Sequence, residues 1–153
     1  MRLFWIIANI VFILDKITKF FVIKITYPYK EVLIQICPVL NIVKYWNKGI
    51  AFGLFSKSGN LVSWLLIGST FIILLGSFLW AKNIAKEKKD NLSLVALGML
   101  FGGGLGNLVD RIVYGAVLDF IDLHIKHYHW PAFNVADIAI TFSLILLLYK
   151  YLK

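Results

Sequence analysis

The 153-residue chain contains one cysteine, Cys37, and only eight acidic residues. A single cysteine excludes an intrachain disulfide framework. Nor does Cys37 fit a lipid-attachment site of the lipoprotein type, which wants a small residue just before the cysteine; Ile36 stands there. It reads as a small, mostly buried packing residue. No internal repeat and no low-complexity tract is visible. The scarcity of acid leaves a net charge of +8 against 16 Lys and Arg. A basic balance often marks nucleic-acid binding. Here no basic stripe or recognised module accompanies it, and the charge sits at the ends of apolar runs, so no nucleic-acid partner is expected.

Apolar surface is what the chain has in excess. Sixty per cent of its residues are hydrophobic, and its mean hydropathy is +0.81. Soluble domains sit nearer 45–50% apolar, and a small globule leaves much of its surface in water. A lipid environment removes the difficulty. The expected architecture is one membrane domain over residues 1–153, an all-α integral membrane protein with four transmembrane helices.

A span needs about 20 mostly apolar residues. Four stretches qualify, at about 3–25, 60–80, 92–113 and 133–149. The first opens like a signal peptide behind Arg2, but DKITK follows where a small-residue cleavage site belongs, so it reads as an uncleaved helix. The second span contains no charge. The loop after it, AKNIAKEKKD, packs Lys82, Lys86, Lys88 and Lys89 together, which marks the cytoplasmic side. Arg2, Lys150 and Lys153 then fall on that same side, with both termini cytoplasmic. Outer segments cover about 26–59 and 114–132. The first is too apolar for a plain loop. It is expected to lie against the membrane as a small β-rich sheet, with a strand near Leu40–Trp46, plus a short helix. Tyr27, Tyr29, Tyr45 and Trp46 suit the water–lipid boundary.

Ionisable groups at membrane depth are expensive and so have a job or a partner. Asp15 and Lys19, spaced i,i+4, form a structural ion pair on one helix face. Asn47 and Gly49, in WNKGIAFG with Ala51 and Phe52, read alone as a turn. Gly98, Gly102 and Gly106 stripe one face of the third helix and allow close helix packing. Asn107, Asp110 and Arg111 continue around it near its outer end. Asp119 follows in an apolar run. Asn134 and Asp137 open the fourth helix as a cap and a first-turn acid. His124, His127 and His129 match no strong metal motif and read as interfacial loop residues.

Together these pieces resemble the bacterial lipoprotein signal peptidases, also called signal peptidase II. The matching pieces are DKITK (Asp15–Lys19), NKGIAF (Asn47–Phe52), GGGLGNLVDR (Gly102–Arg111), GAVLDF (Gly115–Phe120) and FNVAD (Phe133–Asp137). They occur in the family's order and span most of the chain. The resemblance implies an aspartic endopeptidase of the inner membrane, with its active site at the outer face. It would cut prolipoproteins just before a diacylglyceryl-modified cysteine. It further implies Asp119 and Asp137 as catalytic residues and Asn47, Gly49, Asn107, Arg111 and Asn134 as site-shaping residues. Asp15, Lys19 and Asp110 would give structural support. No metal or cofactor is called for, since a carboxylate activates the water. Expected partners are the lipid-modified prolipoprotein, membrane lipids and globomycin-type inhibitors, with the chain a monomer. The apolar setting of Asp119 and the helix-start position of Asp137 suggest acid and carboxylate roles respectively. The competing readings are a small proton-coupled transporter or channel subunit and a non-enzymatic membrane scaffold. Against the first, the aspartates sit at helix ends rather than at the midplane of broken or repeated helices.

Overall fold

The computed structural model describes residues 1–29, 33–49, 59–87 and 90–153. Among these, four helices and four strands follow in chain order. They are α1 (Arg2–Ile25), β1 (Leu33–Cys37), β2 (Leu40–Asn47), α2 (Gly59–Glu87), α3 (Asn91–Tyr114), β3 (Val117–Ile125), β4 (Tyr128–His129) and α4 (Val135–Leu152). Three of the helices are long and apolar enough to cross a membrane, over Val62–Lys86, Asn91–Tyr114 and Val135–Leu152. The first helix is long enough as well, but it carries Asp15, Lys16 and Lys19.

The helix α3 is central and touches α1, α2 and α4. Its boundaries have local causes. Asp90 caps its start by accepting from the Ser93 amide at 2.9 Å. Gly115, at φ +70°, ends it in the left-handed conformation that glycine adopts without strain. Its glycines let neighbouring backbones come close. A Cβ on Gly98 would lie 2.8 Å from the Phe4 carbonyl oxygen of α1, and one on Gly102 would strike the Ala8 carbonyl. A Cβ on Gly103 would lie 2.7 Å from the Ala136 carbonyl of α4. One end of the bundle is closed by Phe4, Ala81, Ile84, Leu94 and Leu97, and there Lys150 of α4 forms an ion pair with Asp90.

At the opposite end lies an antiparallel sheet in the order β1-β2-β3-β4. Leu118 and Phe120 of β3 pack against Val22 of α1 and seat it on the helices. The expected strand at Leu40–Trp46 is present as β2, one residue longer. Two expectations need correction. The segment 114–132 is not simply a loop: it supplies the nine-residue strand β3, whose run of β-branched and apolar residues suits a pleated, buried position. His124 and His129 accordingly face each other across β3 and β4, rather than lying in a loop. The lysine-rich loop is shorter than expected, because α2 continues through Ala81–Glu87, a stretch of good helix formers. Ala51, Phe52, Lys88 and Lys89 lie outside the described residues, as does most of the stretch in which the short outer helix was expected.

Gly102→Ala is expected to destabilise the protein by about 1–3 kcal/mol, because only backbone can yield to the new methyl. Gly68→Ala in α2, which meets nothing within 4 Å, should leave the melting temperature in detergent unchanged or slightly raised. Equal effects of the two substitutions would reject the close-packing account of the stripe.

Candidate active site

Where the sheet meets α3 and α4, five side chains bring amides and carboxylates together. Asp119 projects from β3, directly opposite Tyr45 of β2. The same register sets Asn47, at the end of β2, opposite Val117. Asn47 Nδ2 donates to Asp119 Oδ2 at 3.0 Å, and its Oδ1 accepts from the Gly49 amide at 2.9 Å. That second bond is the turn expected of the WNKG piece, and it also fixes which face of the Asn47 amide meets the acid. The Arg111 guanidinium reaches the Gly49 carbonyl at 3.5 Å.

Asn134 is fully buried and serves two purposes. As cap of α4 its Oδ1 accepts from the Asp137 amide at 3.0 Å, while Asp137 Oδ2 accepts from the Asn134 amide at 3.2 Å, a reciprocal capping box. Its Nδ2 points the other way and donates to Asp119 Oδ1 at 2.7 Å. One residue thus contacts both carboxylates. Asp137 Oδ1 accepts from Asn107 Nδ2 of α3 at 2.8 Å. The cap expected from the sequence is therefore present, and it is also the link to Asp119.

Behind these groups lies a buried ionic cluster. Lys19 Nζ is 2.8 Å from Asp15 Oδ2 and 2.7 Å from Asp110 Oδ2. It also donates to Asn107 Oδ1 at 3.1 Å. Asp15 Oδ1 accepts from the Ala136 amide in the first turn of α4 at 3.1 Å. The i,i+4 pair expected between Asp15 and Lys19 forms, and it reaches further than a pair within one helix. Lys16, which the sequence did not single out, pairs with Asp110 as well. Its signal was present in DKITK only as a third charge beside Asp15 and Lys19.

Asp119 is 2% exposed. Burial pushes its pKa up, and repulsion from Asp137 adds to this. The amides of Asn47 and Asn134 and the charge of Lys19 oppose the rise only in part, leaving a value of about 6. Such an acid is partly protonated near neutral pH, which suits proton transfer. A separate polar group lies further along the sheet. Asp122 accepts from Asn41 Nδ2 at 2.8 Å and faces His129 Nδ1 at 2.9 Å, with the His124 and His129 rings stacked 5.0 Å apart. Burial pushes the Asp122 carboxyl up, but Asn41 and His129 outweigh it and hold it below the usual range. Cys37 ends β1, half-buried and opposite Leu40 of β2.

Comparison with known proteins bears on this arrangement. The family model described as signal peptidase (SPase) II matches residues 7–153. A lipoprotein signal peptidase of Pelagibacter ubique is 43% identical over 143 residues, covering 94% of this chain and 83% of that protein. One of Thermodesulfovibrio yellowstonii is 38% identical over 144 residues, covering 94% and 90%. A solved structure titled as a bacterial membrane enzyme superposes with a TM-score of 0.76 at 34% identity, over 96% of this chain and 85% of that one. With the match running through every piece of the site just described, the chain belongs to the signal peptidase II family.

Proposed function

We propose that this chain is a membrane aspartic endopeptidase that removes signal peptides from prolipoproteins, cutting before a diacylglyceryl-modified cysteine. The reading rests on family membership together with one observation: a buried carboxylate, Asp119, and a partly buried one, Asp137, bridged by the single residue Asn134. Asp137 is the carboxylate in the resting enzyme. Both acids accept N–H donors on both oxygens; what sets Asp137 apart is its place at the positive end of the α4 dipole. Asp119 is the acid of the pair: burial and repulsion from Asp137 push its pKa up to about 6, so part of it carries a proton near neutral pH. Asp137 takes a proton from water as the water oxygen attacks the scissile carbonyl carbon. Asp119 gives its proton to the carbonyl oxygen. The gem-diol intermediate then collapses: the C–N bond breaks as Asp137 gives the water-derived proton to the leaving amine, and a diol hydroxyl returns a proton to Asp119, which restores the resting pair. The two groups titrate as a unit, since like charges at this range disfavour the second ionisation.

The chain acts as one membrane domain of four spans. The first helix spans because its charges are neutralised against α3. Arg2, Lys86 and Lys150 lie at one end of their helices, which is taken as the cytoplasmic end. The sheet and the dyad then lie at the outer face of the inner membrane. A diacylglyceryl cysteine would rest there with its acyl chains in the bilayer. Membrane lipids and globomycin-type inhibitors are the remaining expected partners, and the working unit is a monomer.

Asp119→Asn and Asp137→Asn, tested separately as purified proteins with a diacylglyceryl prolipoprotein, should both fold and both fail to cleave; normal cleavage by either sinks the dyad. Globomycin should block the wild-type protein. The raised pKa of Asp119 sets a second expectation. Its folded value of about 6 exceeds the ordinary 3.8, so the neutral form favours folding. That contribution is complete below pH 3.8 and is lost as pH rises through 6. Asp119→Asn keeps the neutral form at all pH. It should therefore be more stable than wild type at pH 8, by roughly 1–3 kcal/mol, with the gap closing towards pH 4. Identical melting of the two proteins at pH 8 would contradict this.

A further inference from the structure

Asp15, Asp110 and Lys19 alone would leave the polar cluster one negative charge in excess. All three are nearly inaccessible to solvent, at 0%, 4% and 4% side-chain exposure. An uncompensated buried charge is strongly destabilising. Lys16 supplies the missing cation. Its ammonium pairs with Asp110, donates to the Gly106 carbonyl at 2.8 Å, and lies 3.8 Å from Asp15. It is the one partly exposed member, at 27%. A cavity of about 130 Å³ beside it is lined by Lys16, Lys19, Asp110, Trp46 and Tyr114 among others.

The cluster is coupled to the dyad through one amide. Asn107 Oδ1 accepts from Lys19 and from Asn134 Nδ2 at 3.3 Å, so its Nδ2 must face Asp137. Were the amide reversed, its oxygen would meet a carboxylate and its NH₂ an ammonium. Lys19 is thus one of three groups, with Asn134 and Asp137, that set the orientation of Asn107, and the only charged donor to its oxygen. Lys19 has two carboxylates and one neutral oxygen competing for it. With Lys16 present, Asp110 already has a cation of its own. Without Lys16, Asp110 draws Lys19 towards itself and away from Asn107.

We propose that Lys16 is a positioning residue of the proteolytic site: by neutralising Asp110 it keeps Lys19 on Asn107, and so keeps the Asn107 amide donating to Asp137. The inference rests on the reading of Asp119 and Asp137 as the catalytic pair. Other charges nearby are Arg111, which interacts electrostatically with Asp137, Asp119 and Asp110, and the pair itself.

The test compares Lys16→Met, Lys16→Arg and the double variant Lys16→Met/Asp110→Asn with wild type and Asp119→Asn. The assay is cleavage of a diacylglyceryl prolipoprotein in detergent micelles. Lys16→Met should lower kcat roughly ten- to a hundredfold, as expected for a misplaced catalytic group, with KM little changed. The acid limb of its pH profile should move to higher pH, because removing a positive charge favours proton binding by the pair. Lys16→Arg should restore rate and profile. The double variant restores neutrality and leaves Lys19 to Asp15 and Asn107, so it should recover most of kcat and the wild-type profile. It also covers the case in which Lys16→Met does not fold. A Lys16→Met enzyme with wild-type kcat and pH profile overturns the proposal, as does a double variant whose kcat and profile stay unrestored. Either result beside an inactive Asp119→Asn leaves the dyad reading intact; an active Asp119→Asn removes the dyad reading itself.

Discussion

The ammonium of Lys19 is the contact on which the rest of the site depends. It belongs to α1, yet its partners tie α1 to α3 directly through Asp110 and Asn107 and to α4 indirectly through Asp15 and the Ala136 amide. In a membrane this arrangement is favoured by the lack of alternatives. An ammonium only 4% exposed has given up its water, so losing one partner is costly. Hydrophobic burial cannot align helices surrounded by lipid, because lipid tails are as apolar as the side chains they would replace. Polar contacts and close backbone packing do so instead. The glycine stripe and the ion cluster are two parts of one solution: a Cβ at Gly106 would lie 2.7 Å from Asp15 Oδ2, so the small residue makes room for the charge.

Much of the helical frame was legible in the sequence because lipid leaves so few options. Long apolar runs with lysines at their ends have one economical reading, and Asn134 marks a helix start by local chemistry. The glycine spacing and the Asp15–Lys19 pair were legible for the same reason, since both are properties of a single helix face. Strand β3 was not. Its alternation is masked because Val117, Leu118, Asp119, Phe120 and Asp122 are all buried, one face against α1 and the other at the polar site. The contact between Asn47 and Asp119 is likewise set by strand register across 72 residues, and no local pattern carries such information. Lys16 was overlooked for a different reason. A lysine beside Asp15 looks like a surface charge until Asp110, 94 residues away, is seen to need it.

The sheet has a particular consequence for catalysis. Helices pack well in lipid but give limited control over groups at their ends, where backbones fray. Placing Asp119 on a strand flanked by β2 and seated on α1 gives it a fixed backbone position. Its partner Asp137 gains equal rigidity from a capped first turn. The two acids thus come from different kinds of secondary structure, each rigid by its own means.

Asn134 shows what it means for a folding signal and a chemical group to share one side chain. A helix start accepts Ser, Asp or Thr nearly as readily as Asn. None of the three offers an acceptor to the Asp137 amide together with a donor NH₂ for Asp119, and Asp would add a third acid to a crowded pair. The set of residues that can fold this turn is therefore wider than the set that can run the site. Under the proposed dyad, a chain altered at this one position would still insert and pack its helices while losing its chemistry, so inspection for proper assembly alone would pass it as sound.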